Sequence, residues 1–347
     1  MRIFRHHTEI PVEARAAVVA LGNFDGVHLG HQAVIAEAAR LADELSVSCG
    51  VLTFEPHPRE YFQPDKPAFR LTPFRIKLRQ LEAIGVDYVF LLAFDRALAK
   101  RSPESFIVEV LGEGLEPAHV VVGYDFVFGQ NRSGNAELLN DLGRTAGFGV
   151  TSLPAVADAT GVVYSSTKVR QSLAAGDPRA AALLLGRPWE IEGRVETGDK
   201  RGRLLGFPTA NLGLGDYLHP ALGVYVVKAG IDEGRETHWL DGVANLGVRP
   251  TVGGTRVQLE VHLFDFASDL YGRHLRVALI DFIRPERKFD GLEALKAQIA
   301  ADTAEARTRL ARYEGPPPGH AKPRLRRSGV SEPAANVYEG ALRPHRK

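Results

Sequence analysis

The stretch "ALGNFDGVHLGHQAVI" (residues 20–35) decides how the first half of this chain folds. An apolar run ends at Gly22, and apolar residues at helical spacing follow. Between the two lie His28 and His31, with Gly30 separating them. A strand that passes directly into a helix is typical of an open parallel α/β sheet, in which ligands bind beyond the carboxyl ends of the strands. We therefore expect both histidines at a ligand-binding edge.

Apolar, β-rich runs alternate with helix-like segments throughout the first half. The predicted strands cover 16–22, 47–54, 87–94, 119–123 and 149–154. The first helix carries one apolar stripe, made of Val34, Ile35, Ala38, Leu41, Ala42 and Leu45. Two later helices open on a hydroxyl residue followed by proline, which predicts Thr72 and Ser102 as N-caps. Apolar strand cores between helices predict a doubly wound parallel sheet.

The second half has a different pattern. From residue 189 onward, β-rich runs follow one another without helices between them, which predicts an antiparallel barrel or sandwich. One long helix is predicted at roughly 290–312. The segment 315–347 is rich in proline and glycine and has seven lysines and arginines against two glutamates, which predicts a disordered basic tail. Contact of this tail with nucleic acid or an acidic partner is the alternative.

Composition excludes several classes of protein. The 347 residues are 44% hydrophobic and 24% charged with a net charge of +1, which is typical of a globular protein of two domains without a specific nucleic-acid partner. No apolar run approaches the roughly 18 residues that cross a bilayer, and we see no secretory signal. A single cysteine, Cys49, excludes intrachain disulfides and multi-cysteine zinc sites, and its apolar setting predicts inert core. We expect a cytoplasmic protein.

The turn after the first predicted strand has the chemistry of a phosphate site. A helix N-terminus offers free backbone N–H groups and the positive end of the helix dipole. His28 and His31 would add side-chain donors, and Gly26 and Gly30 would allow close approach of the backbone. The alternative is a turn with two solvated histidines.

A polar loop follows the fourth predicted strand, in "VVVGYDFVFGQNRSGN" (120–135). Polar loops after buried strands often bind ligands, so Asp125 and Asn131 are candidate binding residues. Alternatively, the polar residues from Asn131 to Asn135 would cap the helix that starts near residue 136. The sequence leaves both interpretations open.

The segment "YSSTKVRQSLAAGD" (164–177) predicts a short helix with Ser166 or Thr167 as its N-cap. Capping alone would explain these hydroxyls. However, Lys168 and Arg170 lie near the helix start, where cations are unfavourable for the helix dipole. Their presence there indicates an anionic partner.

Two segments of the second half are candidates for kinase-type chemistry. In "GDKRGRLLGFPTANL" (198–212), glycines and basic residues that could wrap phosphates precede Thr209 and Asn211, whose neutral oxygens alternate along an extended segment and suit Mg²⁺. In "RVQLEVHLFDF" (256–266), apolar and polar residues alternate, and Glu260 lies on the polar face as a candidate general base. The alternative for Glu260 is a solvated surface carboxylate.

These motifs occur together and in order, as "LGNFDGVHLGHQ", "TFEPHP", "SSTKVR", "GRLLGFPTANL", "LGVRPT" and "LEVHLFDF" followed by "DLYG". Through them the chain resembles the bifunctional bacterial riboflavin kinase/FAD synthetase family over about residues 15–312. The resemblance implies a nucleotidyltransferase-type parallel-sheet domain over 1–186 that adenylylates FMN. It also implies a riboflavin kinase barrel with a C-terminal helix over 187–314, and it gives no role to 315–347.

The resemblance also implies roles for individual residues. It makes His28, His31 and Arg170 catalytic groups of adenylyl transfer, and Glu260 the base of the kinase. It implies contacts with ATP or its phosphates at Gly22, Phe24, Gly30, Asp125, Asn131, Ser166, Thr167, Gly202, Arg203 and Gly206. Mg²⁺ would bind Thr209 and Asn211, with ATP as co-substrate and riboflavin, FMN and FAD as substrates and products.

Other partners are not expected: no membrane, no specific nucleic acid, and a monomer or weak homo-oligomer. One alternative is an enzyme with a single active half, against which the intact motifs in both halves argue. Another is a non-enzymatic flavin-binding or regulatory protein that uses the basic tail on RNA. The retained Glu260, Thr209 and Asn211 argue against that alternative, because binding alone needs no base.

Overall fold

A computed structural model describes residues 1–197, 206–234, 236–251 and 254–319. The first half forms a six-stranded, fully parallel sheet in the order β1-β4-β3-β2-β5-β6, as predicted. Its strands are β1 (Arg2–Phe4), β2 (Val18–Leu21), β3 (Cys49–Glu55), β4 (Tyr88–Ala93), β5 (His119–Gly123) and β6 (Gly149–Leu153). Strand β1 was not among the predicted strands. Cys49 is buried, as expected.

Helices connect these strands. They are α1 (Leu29–Glu44), α2 (Pro58–Phe62), α3 (Phe74–Ala83), α4 (Arg96–Ala99), α5 (Pro103–Ser105), α6 (Ala136–Thr145), α7 (Ser166–Ala174) and α8 (Pro178–Leu185). A π-helical segment, Phe106–Leu115, continues α5, and 3₁₀ turns lie at Val12–Ala14 and Gln130–Arg132. The predicted stripe of α1 packs into the core, except that Leu45 follows the last helical turn and is 51% exposed. Among the described residues, no helix is long and apolar enough to cross a membrane.

Two of the predicted helix caps are wrong. Ser102 caps α5 as expected, but α3 starts after Pro73 without a side-chain cap. The hydroxyl of Thr72 instead accepts a hydrogen bond from the Gly26 backbone N–H at 2.8 Å, 46 residues away. In α7 the N-cap is Ser165, whose hydroxyl accepts from a backbone N–H. Local hydroxyl patterns locate helix starts to within a residue or two. Which hydroxyl caps the helix also depends on hydrogen bonds to distant segments.

Strand β2 lies at the switch point of the parallel sheet. The chain leaves β2 for β3 through α1, while β5 and β6 extend the sheet on the other side. Ala20 pairs with Val121, so the loops that follow β2 and β5 leave the same edge side by side. This is where open α/β sheets bind ligands.

The second half is a six-stranded antiparallel sheet in the order β7-β12-β9-β10-β11-β8. A bridge between Glu196 and Asn211 joins the end of the first edge strand to the other edge, so the sheet curls into a barrel. Its strands are β7 (Trp189–Arg194), β8 (Ala210–Gly213), β9 (Gly223–Glu233), β10 (Glu236–Thr251), β11 (Gly254–Leu263) and β12 (His274–Pro285). Helix α9 (Leu292–Ala311) packs Ala306 and Leu310 against the outer face. This confirms the predicted barrel and C-terminal helix.

One hydrophobic core continues from the first half into the barrel. It joins Leu71, Val169 and Leu185 to the buried face of the barrel strands. The indole N–H of Trp189 donates to the Leu71 carbonyl at 2.8 Å, and Arg79 donates to an Asp232 carboxylate oxygen at 2.7 Å. The two halves are therefore packed against one another rather than tethered.

Candidate active sites in the two halves

His28 is the N-cap of α1 at the carboxyl edge of the parallel sheet. Its Nδ1 accepts the backbone N–H of His31 at 3.3 Å, so in the neutral ring Nε2 carries the proton. Burial lowers the pKa of His28 to about 4, with the side chain nearly inaccessible to solvent. His28 is therefore a neutral, oriented hydrogen-bond donor at neutral pH. The alternative of two solvated histidines is wrong for this residue.

His31 lies one helical turn further on. Its ring stacks on that of His28 with centroids 3.6 Å apart, and Phe24 packs edge-on against it at 5.3 Å. Burial, followed by the positive charge of its neighbours, holds the pKa of His31 well below its usual value. Its Nδ1 is buried and has no hydrogen-bond partner in the described part of the chain. An incoming polyphosphate would raise the pKa of both imidazoles, since an adjacent anion favours the charged form.

The glycines and Phe24 set the spacing of this turn. A Cβ at Gly30 would lie 3.1 Å from the His28 ring, and one at Gly22 would lie 3.2 Å from the Phe24 ring. Phe24 is only 1% exposed. It therefore supports the His31 ring, and the contact with ATP that the resemblance implies for Phe24 stays a prediction.

Asp25 joins this turn to the distant "SSTKVR" segment. Its buried carboxylate accepts backbone N–H groups of Leu71 and Thr72, each at 3.0 Å. The Ser166 hydroxyl donates to the Asp25 carbonyl at 2.7 Å. The structure thus brings together two motifs separated by 141 residues in sequence. Sequence reasoning missed Asp25, which looked like an ordinary turn residue.

Arg170 reaches this turn, but it is already bonded. Its guanidinium pairs with the Asp25 carboxylate, and its Nε donates to the Phe69 carbonyl at 2.9 Å. It also lies over the Phe69 ring at 5.2 Å. Arg170 thus holds the turn in place through Asp25 and Phe69. A phosphate could bind only the guanidinium N–H groups that these two bonds do not use. Thr167 lies exposed in the first turn of α7.

Lys77 is a buried cation that the sequence analysis missed. It is 2% exposed, and its Nζ donates to the Asn23 carbonyl and the Thr53 hydroxyl, each at 3.3 Å. Burial lowers its pKa. The available signal was a lysine among the apolar residues of an amphipathic helix. Burying an ammonium group costs free energy unless it is hydrogen-bonded or paired with a charge.

The loop after β5 carries Asp125 and Asn131, and both are exposed. Asn131 has φ of 57°, in the left-handed region that asparagine tolerates. Asn135 caps α6 by accepting the Leu138 backbone N–H at 2.9 Å, as the capping interpretation had it. The loop starts beside the His28 turn, but these residues contribute no described contact to that turn.

The barrel places Glu260 directly opposite two amides. In register, Glu260 on β11 pairs with Asn211 on β8 and with Asn245 on β10. One carboxylate oxygen of Glu260 accepts from the Arg249 Nε at 2.9 Å. Their strand neighbours Leu212, Leu246 and Leu259 point into the core, so the polar side chains share the other face. The predicted alternation of apolar and polar residues on β11 is confirmed.

Asn211 and Thr209 offer neutral oxygens beside this carboxylate. Asn211 on β8 is 7% exposed, and Thr209, directly before the start of this strand, is half-buried. The described residues hold no cluster of three His, Cys, Asp or Glu side chains that would form a metal cage. Hard neutral oxygens beside one carboxylate fit Mg²⁺, which binds through few protein ligands together with substrate phosphates.

The predicted phosphate loop of this half is described only in part. Gly202 and Arg203 lie outside the described residues. Gly206 is exposed with φ of 88°, and a Cβ there would meet nothing within 4 Å. It therefore lies at a turn that leads to Thr209.

Sequence reasoning also missed the β10 side of the site. The Asn245 amide donates to Glu286 at 3.3 Å. A Cβ at Gly247 would lie 2.1 Å from the same Glu286 oxygen, so a larger residue there would displace the Glu286 carboxylate from this position. Asn245 and Gly247 belong to "ANLGVRP" (244–250), in which apolar residues alternate with Asn245, Gly247 and Arg249. This alternation was a signal for one polar strand face.

The two arrangements define a class of protein. A helix N-terminus at the switch point of a parallel sheet, lined by neutral donors, is typical of sites that bind nucleotide phosphates. A barrel face with one carboxylate among amide and hydroxyl oxygens suits transfer of a phosphoryl group to an alcohol. The chain therefore has the features of a two-site transferase that acts on nucleotides.

Comparisons with known proteins identify the family. Residues 10–168 match the family model of FAD synthetase, and residues 185–310 match that of riboflavin kinase. A bifunctional riboflavin kinase/FMN adenylyltransferase from Escherichia coli strain K12 is 46% identical over 84% of this chain and 91% of its own length. The enzyme of the same name from Pseudomonas fluorescens is 45% identical over 88% of this chain and 97% of its own.

A solved structure extends the similarity to the fold. The crystal structure of a protein from Streptococcus pneumoniae named as a macrolide-efflux protein superposes with a TM-score of 0.77. It is 32% identical and covers 88% of this chain and 98% of its own. The chain belongs to the bifunctional riboflavin kinase/FMN adenylyltransferase family. The predicted function, phosphorylation of riboflavin to FMN and adenylylation of FMN to FAD, is confirmed.

Proposed function

We propose that the two reactions are divided between residues 1–186 and residues 187–314, with 315–347 outside both. Gly186 ends α8 in the left-handed conformation, with φ of 74°, and the barrel begins with Trp189. The observation that carries the proposal is the pairing of Glu260 with Asn211 on one half and the capping of α1 by His28 on the other. Each half thus has its own reactive edge.

In the parallel-sheet half, we propose that an FMN phosphate oxygen attacks the α-phosphorus of ATP and pyrophosphate leaves. The attacking phosphate is already an anion, so this reaction needs no strong base. Its main barrier is repulsion between anions and the charge that develops on the leaving group. The Nε2–H of His28 and the free N–H groups at the start of α1 are oriented donors for that charge. Ser166 and Arg170 hold the turn through Asp25.

In the barrel, we propose that Glu260 accepts the proton of the ribityl 5′-hydroxyl of riboflavin as that oxygen attacks the γ-phosphorus of ATP. ADP leaves with its bridging oxygen. Arg249 orients the carboxylate. Thr209 and Asn211 would hold Mg²⁺, which supplies neutralisation of phosphate charge when bound. Gly202, Arg203 and Gly206 are proposed to cover the phosphates.

Separate sites make a simple prediction for mixed variants. A variant at His28 and a variant at Glu260 should each fail to convert riboflavin to FAD with ATP. A mixture of the two should make FAD, because FMN released by one chain can enter the other. FAD formation from riboflavin by either variant alone, at a rate near that of the unmodified protein, would contradict the assignment.

We propose that the protein works inside the cell, because both reactions consume ATP. Its small-molecule substrates follow from the two enzymatic halves. A monomeric or weakly oligomeric state, and the lack of a specific nucleic-acid partner, stay predictions. The disordered basic tail stays a prediction from residue 320 onward, which lies outside the described part of the chain. Its predicted start at residue 315 is wrong, because the backbone N–H of the buried Gly319 donates to Glu190 at 2.7 Å and the Gly319 carbonyl accepts from Gln80 at 2.8 Å.

A further inference from the structure

Arg187 is a buried cation that no motif singled out. It follows the Gly186 turn, at the start of the barrel half, and is 3% exposed. Its guanidinium crosses to the other half of the molecule. Nη2 donates to the Gly26 carbonyl at 2.8 Å, and Nη1 donates to the carbonyls of Val27 and Leu185, each at 3.2 Å.

These bonds are unusual for a buried charge. Removing a guanidinium from water is costly, and a carboxylate partner normally offsets that cost. Every hydrogen bond described for Arg187 goes to a neutral backbone carbonyl. The nearby Glu190 instead accepts from Arg276 at 2.8 Å. Because burial of this charge is costly, the three carbonyl bonds indicate that the position of the Gly26–Val27 segment matters to the protein.

The segment held by Arg187 is strained. Gly26 has φ of 91° and Val27 has φ of 43°. A β-branched residue in the left-handed region is a genuine outlier, which persists only where the surroundings enforce it. Val27 directly precedes His28, so the strained peptide sets the direction of the His28 ring. Gln32 supports the same turn, since its amide donates to the Val27 carbonyl at 2.8 Å and to that of Leu185 at 3.0 Å.

We propose that Arg187 is a positioning residue for adenylyl transfer, which fixes the Gly26–Val27 peptides and thereby aims Nε2 of His28 at the phosphates of ATP. It acts through His28 and touches neither substrate. A residue on the barrel side of the proposed boundary thus serves the reaction of the other half. The inference rests on the proposed role of His28.

Replacement of Arg187 tests this role within one chain. In Arg187→Met we expect kcat for FAD formation from FMN to fall about 10- to 100-fold, the size of effect that a small misplacement of a catalytic group produces. The KM for FMN should stay within about twofold, because Arg187 does not touch that substrate. FMN formation from riboflavin should also stay within about twofold, which reports that the barrel is folded. Arg187→Lys should recover part of kcat, because an ammonium still donates to carbonyls.

Arg179→Met is a matched control. This arginine lies on α8, eight residues before Arg187, has a mostly exposed side chain, and pairs with the buried carboxylate of Asp281. It should leave both reactions unchanged. FAD formation that is unaffected in Arg187→Met, or an equal loss of both reactions there without any recovery in Arg187→Lys, would overturn the positioning role.

Two further variants keep the test decisive. If Arg187→Met does not fold, Gln32→Leu removes two of the bonds to the same carbonyls from a half-exposed helix position. A selective loss of FAD formation there supports the inference, and unchanged FAD formation overturns it. His28→Asn is assayed in parallel. FAD formation retained in His28→Asn would refute the proposed role of His28, whereas its loss there together with normal Arg187→Met would refute the Arg187 inference alone.

Discussion

Replacing Glu260 by glutamine should remove riboflavin phosphorylation and leave FAD formation from supplied FMN intact. Glutamine has the volume of glutamate and keeps a side-chain oxygen that can accept the Arg249 Nε–H, now at 2.9 Å from the carboxylate. The strand pairing with Asn211 and Asn245 uses backbone groups and is unaffected. The variant therefore removes the negative charge and the proton acceptor with little change in structure.

The magnitude follows from the proposed role as general base. A positioned base contributes about 10²- to 10⁴-fold to the rate, which corresponds to about 3–5 kcal/mol of transition-state free energy. We expect kcat for FMN formation to fall by that factor. The KM for ATP should change little, because Glu260 acts on the hydroxyl of riboflavin and not on ATP. The assay separates the flavins over time in two incubations with ATP and Mg²⁺, one with riboflavin to follow FMN formation and one with supplied FMN to follow FAD formation.

Glu196→Gln is the matched control. Glu196 is another carboxylate at the same barrel edge, where it bridges to Asn211 and accepts two hydrogen bonds from Arg256, at 2.8 and 2.9 Å. Its replacement should leave FMN formation within about threefold, the range expected for a surface ion pair. If Glu260→Gln also kept FMN formation within threefold, Glu260 would be only the ion-pair partner of Arg249, and the proposed mechanism would be refuted.

Three further predictions address the other parts of the account. His28→Asn keeps a capping side chain on α1 but removes the ring, so FAD formation from supplied FMN should fall at least about 100-fold while FMN formation stays normal; equal loss of both would refute separate sites. Asn211→Leu should raise the Mg²⁺ concentration needed for half-maximal FMN formation several-fold and leave that for FAD formation unchanged; an unshifted requirement would remove Asn211 from the metal site. Because the folded-state pKa of His28 is about 4, below the ordinary 6.5, the unfolded chain binds this proton first as the pH falls, and stability is lost below about pH 6.5. In urea denaturation, the unmodified protein should therefore lose about 2 kcal/mol more unfolding free energy between pH 7 and 5 than His28→Asn does; equal losses would show that His28 is not buried as described.

Local patterns were sufficient to predict most of the strands and helices and the parallel sheet of the first half. For the second half they left a barrel or a sandwich open, and the family resemblance implied the barrel. Alternation along β11 placed Glu260 on the face opposite Leu259, and helical spacing placed Val34 and Ala38 in the core. These features depend on the strand or helix period and on which positions are apolar, and both can be read from neighbouring residues in the sequence. The exposure of Leu45 and the cap at Ser165 differ from expectation because element ends depend on what packs beyond them.

Contacts between distant segments could not be predicted in the same way. Nothing near Asp25 in sequence indicates that it would accept N–H groups of Leu71 and Thr72 or meet Arg170. The register that pairs Glu260 with Asn211 depends on the closure of the barrel. Arg187 lies between apolar residues and a proline, and its partners are carbonyl groups, which every residue has. The roles of these residues can be recognised only once the three-dimensional structure is known.

The most direct test of two ordered sites in one chain is a single incubation with riboflavin, ATP and Mg²⁺, with the flavins separated over time. The account predicts that FMN appears first, without a lag, and that FAD follows after a lag while FMN passes through a maximum. FMN that accumulates without FAD, even when FMN is supplied, would contradict the assignment of the His28 site to adenylyl transfer. No conversion at all by protein shown to be folded would contradict the account as a whole.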